Sequence, residues 1–190
     1  MWRLTPIEAK QSAVDLRAVA RRLHLPGQGL PNFLRLLAKS PATLTAYLHT
    51  EEGLAKGLLS PAQREQIALA VAEINGSLYC LAAHEAAGSR AGLSEEEILA
   101  ARRAAAADPK TTALLHFVQA VVLQRGEIND EDFSHLKHTG FSESEIIEII
   151  ANVGLNLFTN YFNILAQTDL DNPPADRKNS LAGNVLEKNI

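Results

Sequence analysis

The sequence predicts an all-α protein, a bundle of about eight helices, and three observations carry that expectation. Helix-start signals recur along the chain, with Ser, Thr or Asp followed by Pro or, three residues on, by Glu or Gln. Apolar residues return at spacings of three and four. Clusters of aromatic and β-branched residues with period two are absent.

The elements follow in order. Thr5-Pro6-Ile7-Glu8 reads as cap, first-position proline and capping-box acid, and the stripe Leu16, Val19, Ala20, Leu23 runs to Pro26-Gly27. A short helix over 31–39 turns Phe33, Leu34 and Leu37 inward, and Ser40-Pro41 opens another that stops at Gly53. Ser60-Pro61-Ala62-Gln63 starts the run Ile67 to Ala72, apolar on every side. A helix of that kind is buried all round, in a core or at a subunit interface. Asn75-Gly76 ends it, and Ser77 is placed to cap the next. Ser94 to Glu97 is a capping box stapled by Leu93 and Ile98. Asp108-Pro109 opens a helix with the stripe Leu114, Phe117, Val118, Val121, closed near Gly126. Ser142 to Glu145, stapled by Phe141 and Ile146, opens a long helix to about Gln167. From Asp171 the chain turns polar and meets Pro173-Pro174, so the expectation is one domain over 1–174 with a polar tail over 175–190. Leu59-Ser60 and Phe141-Ser142 each precede an apolar helix, a weak internal echo in which Ile147 stands where the first copy has Glu65.

Composition narrows the function. The 190 residues are 46% hydrophobic with a net charge of −4 and no basic block, which argues against nucleic acid or an anionic membrane surface as partner. One cysteine excludes an intrachain disulfide and a multi-thiolate zinc site, and it fits a reducing cytoplasm. No signal peptide and no membrane-spanning run is expected from the sequence.

The chemistry-bearing residues concentrate between Glu65 and His84. Cys80 and His84 are four apart and share a helix face. Cys80 falls in the first turn after Ser77, where backbone N–H groups and the helix dipole favour a thiolate. A lone cysteine in an apolar helix is otherwise a small buried hydrophobe, and a lone histidine is otherwise a core residue bonded to a carbonyl. Glu65 lies early in the buried helix and is either a surface acid facing the dipole or a partner of the thiol, if the two helices run antiparallel. His24, His49, His116, His135 and His138 show no metal-ligand spacing, so no metal is expected. Asn152, Asn156, Asn160 and Asn163, with Thr159, fall on one face of the last helix. Buried amides need partners, so that face meets either a helix–helix amide network at an oligomer interface or a small polar pocket. With the Ile67–Ala72 run, the stripe suggests a surface that one subunit cannot cover.

Glu65, eleven residues, Ser77, two residues, Cys80, three residues, His84 resembles the signature of the alkyl hydroperoxidase D-like / carboxymuconolactone decarboxylase superfamily. Leu30-Pro31-Asn32-Phe33 through Ser40-Pro41, Asn160-Tyr161-Phe162-Asn163 and Thr168-Asp169-Leu170-Asp171 are similar to flanking segments of its peroxidase-related branch, giving a family-like core of about 28–174. The resemblance implies an all-helical trimer or hexamer without cofactor. Carried over, Cys80 attacks a peroxide and Glu65 and His84 relay protons. Ser77, Tyr79, Asn156 and Asn160 become candidate substrate-binding residues. Ser77 replaces the resolving cysteine and Tyr79 stands where some members have histidine, so resolution would need an external thiol reductant or a neighbouring subunit. Two alternatives stay open: cofactor-free acid–base chemistry of the decarboxylase kind, and a helical oligomer with a degenerate site.

Overall fold

In the computed structural model, described for residues 3–7, 19 and 30–171, eight helices follow one another and no strand occurs among the described residues. They are α1 (Asn32–Leu37), α2 (Pro41–Ala55), α3 (Pro61–Asn75), α4 (Leu78–Arg90), α5 (Glu95–Arg102), α6 (Pro109–Leu123), α7 (Asp130–His138) and α8 (Glu143–Ala166). The expected N-terminal helix with its Leu16–Leu23 stripe and the 175–190 tail lie outside the described residues.

Local signals place the helix starts. Ser40 Oγ accepts from Thr43 N, and Asp108 accepts from Thr111 N. Ser60 with Gln63, Ser94 with Glu97 and Ser142 with Glu145 each form a complete capping box. Both hydrophobic staples are buried, Leu93 with Ile98 and Phe141 with Ile146. The helix α3 ends at Gly76, whose φ of 66° lies in the left-handed region that glycine adopts without a Cβ penalty.

The helix α3 is the axis of the fold, packed against α4, α8, α6 and α5. Ile67, Leu69, Ala70, Val71 and Ala72 are 0% exposed, so the chain's own helices cover the run completely. This corrects the expectation that it needs a neighbouring subunit. Two apolar clusters meet along α3. The larger joins α3, α6 and α8, and the smaller gathers Phe33, Leu37, Leu44 and Leu48 around Tyr79, Cys80 and Leu81. Full burial of a Leu or Ile stabilises by about 1.5–3 kcal/mol, which makes α3 the hardest element to disturb.

Two polar ties fix α3 in register. Glu148 of α8 accepts from Leu58 N at 2.7 Å and Leu59 N at 3.2 Å, holding the segment that leads into α3. Arg102 of α5 donates from Nε to Glu73 of α3 and from Nη1 to Glu85 of α4, each at 2.6 Å, with its side chain 6% exposed. By length and composition the helix α8 could cross a bilayer, a property that the core helix of a soluble protein shares. Here its Asn-bearing face is buried, while Ile147, Ile150, Phe158, Tyr161 and Leu165 form an exposed outer row.

Candidate functional site

The tight turn at Gly76 sends α4 back along α3, and the antiparallel pair settles the geometry that spacing left open. Glu65 Oε2 lies 2.8 Å from His84 Nδ1, with both side chains about three-quarters covered. A carboxylate on Nδ1 fixes the ring's orientation and leaves Nε2 as its other proton-carrying position. Cys80, one turn before His84, is 3% exposed, and Asn163 Nδ2 lies 3.3 Å from its Sγ. All four residues line one cavity of about 140 Å³ between α2, α3, α4 and α8. That is room for a small reacting head rather than a whole drug-sized ligand.

The amide stripe of α8 forms the cavity's far wall. Asn152, Asn156 and Asn163 are buried, and each donates to a carbonyl of its own helix, Glu148, Asn152 and Thr159 respectively, at 2.8 to 2.9 Å. Those bonds occupy one end of each amide. Asn160 does not line the cavity: it is completely buried and its Oδ1 accepts from Asn75 Nδ2 at 3.1 Å, joining α8 to the end of α3.

Ser77 stands at the N-cap position of α4, yet its side chain makes no capping bond, in contrast to the sequence expectation. Its hydroxyl is completely buried and has no hydrogen-bond partner among the described residues. Tyr79 lines the cavity with its ring, but its hydroxyl points into a structural tie. It donates to Asp171 and accepts from Phe33 N, while Asp171 accepts from Asn32 N and Asn32 Nδ2 donates to Asp169 O. Burial first, then the bond to Asp171, drives the Tyr79 phenol well above its ordinary range. The two flanking segments singled out in the sequence, around Asn32 and around Asp171, therefore meet at Tyr79.

Sequence reasoning missed the wall supplied by α2 and the start of α3. Tyr47 and Glu51, one turn apart on α2, line the cavity beside Arg64. Burial, then the charge of Glu51, raises the Tyr47 phenol. Although Glu51 as a residue is exposed, the packing around its carboxyl, then the charge of Glu65, holds its pKa above the ordinary carboxylate range. The i, i+4 spacing of Tyr47 and Glu51 was a visible signal, but it named no partner. No group of three or more metal-ligating side chains occurs among the described residues.

Residues 41–123 match the model of the carboxymuconolactone decarboxylase family. No curated protein matches the sequence. Among solved structures, the chain is similar to an alkylhydroperoxidase AhpD core, an uncharacterized peroxidase-related protein from Ralstonia eutropha, with 23% identity over 89% of this chain and 92% of that one and a TM-score of 0.79. An uncharacterized peroxidase-related protein from Silicibacter is 24% identical over 88% and 94%, with a TM-score of 0.72. A debrominase, in a cysteine-to-alanine form with 2,3,4-tribromopyrrole, is 21% identical over 88% and 91%, with a TM-score of 0.75.

Proposed function

We propose that this chain is a thiol-dependent hydroperoxide reductase of the alkyl hydroperoxidase D-like / carboxymuconolactone decarboxylase superfamily, working with one cysteine, a reading supported by the family match over residues 41–123 and by the shared fold. The observation that carries the reading is the convergence of three groups on one small cavity: the Cys80 sulfur, an amide donor from Asn163 and the oriented Glu65–His84 pair. Cys80 attacks the distal oxygen of the peroxide. His84, held by Glu65, moves the proton that the departing oxygen needs. The amides of Asn152 and Asn156 give the cavity wall hydrogen-bonding character for the substrate's polar end.

Because Ser77 cannot form a disulfide with Cys80, the oxidised sulfur is returned to the thiol by an external thiol, such as glutathione or a thioredoxin-type protein. A homo-oligomer, trimer or hexamer, in the cytoplasm belongs to the same proposal, supported by the exposed apolar row on α8. The test is peroxide consumption with and without added thiol. Thiol-dependent turnover that is lost in Cys80→Ser and in His84→Ala is expected. Activity that survives Cys80→Ser overturns the reading.

A second reading follows from the family match and the 2.8 Å carboxylate–imidazole pair: cofactor-free acid–base work on a lactone or β-keto acid. It requires Glu65 and His84 and tolerates Cys80→Ser, so the same variants separate the two.

A further inference from the structure

Three buried polar atoms at the seam between α4 and α8 have no hydrogen-bond partner among the described residues: Ser77 Oγ, Asn160 Nδ2 and Asn163 Oδ1. Ser77 and Asn160 are completely buried and Asn163 is 4% exposed. An unmet buried polar group costs about 1–3 kcal/mol, so three along one seam mark a place built to be filled. All three are tied to the thiol's surroundings. Asn163 donates its other end to Cys80 Sγ. Ser77 stands three residues before Cys80 with its hydroxyl turned away from capping, which leaves the first-turn N–H groups of α4 without a side-chain cap. Asn160 lies almost one turn before Asn163 and is bonded to Asn75, two residues before Ser77. Their valences are complementary. Asn160 Nδ2 and the Ser77 hydroxyl can donate, and Asn163 Oδ1 can accept.

We propose that Ser77, Asn160 and Asn163 form a receptacle for one oxygen atom bonded to Cys80, the oxygen of its sulfenic acid. This deepens the peroxidase reading and rests on it. The Cys80 thiolate attacks the distal peroxide oxygen; the S–O bond forms and the O–O bond breaks. The sulfur is oxidised by two electrons, and the remaining oxygen leaves as an alkoxide that takes a proton to become the alcohol. The S–OH then donates to Asn163 Oδ1 while its oxygen accepts from Ser77 Oγ and Asn160 Nδ2. Cys80 and Asn163 line the cavity and Ser77 and Asn160 do not, so the bound oxygen is drawn behind the cavity wall. There it is shielded from a second peroxide until a thiol reaches the sulfur. Serine at this position, in place of a resolving cysteine, then has a task of its own.

The test treats the full-length chain with an excess of cumene hydroperoxide in the absence of thiol and follows intact mass over time. In Ser77→Ala the species carrying one added oxygen is expected to decay to higher oxides about tenfold faster than in the parent. The thermal midpoint of the reduced variant does not fall, because the substitution removes a buried hydroxyl with no partner among the described residues, and this separates stabilisation of the oxidised sulfur from general loosening. Equal lifetimes in parent and variant overturn the receptacle and leave those atoms to water alone. Absence of any oxygen adduct in the parent removes the peroxidase reading and this inference with it.

Discussion

Replacing Glu65 by glutamine keeps the side chain's shape and removes the charge that holds His84. The two side chains are 23% and 25% exposed and 2.8 Å apart, so the bond is charge-assisted yet partly screened. A charged hydrogen bond contributes about 1.5–3 kcal/mol, and screening at this partly exposed pair lowers it to about 1–2 kcal/mol. At about 1.4 kcal/mol per factor of ten, Glu65→Gln should slow peroxide turnover about 5- to 30-fold. His84→Ala removes the proton carrier itself, a loss of about 10²–10⁴. Because Glu65 acts through His84, the double variant should be no slower than His84→Ala alone. The assay is kcat/KM for an organic hydroperoxide under saturating thiol across all four proteins. Multiplicative losses in the double variant would refute the claim that the carboxylate works by orienting the imidazole.

Three further outcomes follow from the same packing. Arg102→Ala leaves Glu73 and Glu85 without their guanidinium and should destabilise by about 1–3 kcal/mol in urea denaturation, since both carboxylates can reach water, whereas a surface change such as Lys56→Ala should alter little. Tyr79→Phe removes the link between Phe33 N and Asp171 and should cost about 1–3 kcal/mol of stability while leaving the first oxidation of Cys80 intact. Glu51 has a native pKa raised by burial and then by Glu65, so the native state binds more protons than the unfolded chain in the window just above the ordinary carboxylate range. Stability therefore falls as pH rises through that window, and Glu51→Gln should flatten the fall in denaturation measured from acid to neutral pH.

The helix starts were legible because capping is local: a Ser or Asp and the residue three positions on decide where the backbone turns helical. The Glu65–His84 encounter was half legible. Spacing placed both on consecutive helices, and the Gly76 turn supplied the reversal that brings them together. The amide stripe was readable as a polar face, but periodicity cannot tell which of its members meets the thiol. Asn163 does, while Asn160 turns to Asn75. Ser77 misled for a related reason. Its residue type and position favour a cap, yet tertiary packing buries its hydroxyl elsewhere. The Arg102 cluster and the Asn32–Tyr79–Asp171 tie were invisible, because each joins groups far apart in sequence whose side chains carry no local pattern.

The most direct test of the account is the mass of the intact chain after one equivalent of organic hydroperoxide, with and without a following excess of glutathione. One added oxygen at Cys80, with release of one equivalent of alcohol and return to the parent mass by way of a glutathione adduct, is the predicted result. An unchanged mass while Glu65 and His84 remain intact would contradict it and place the chemistry of this cavity with the carboxylate and imidazole alone.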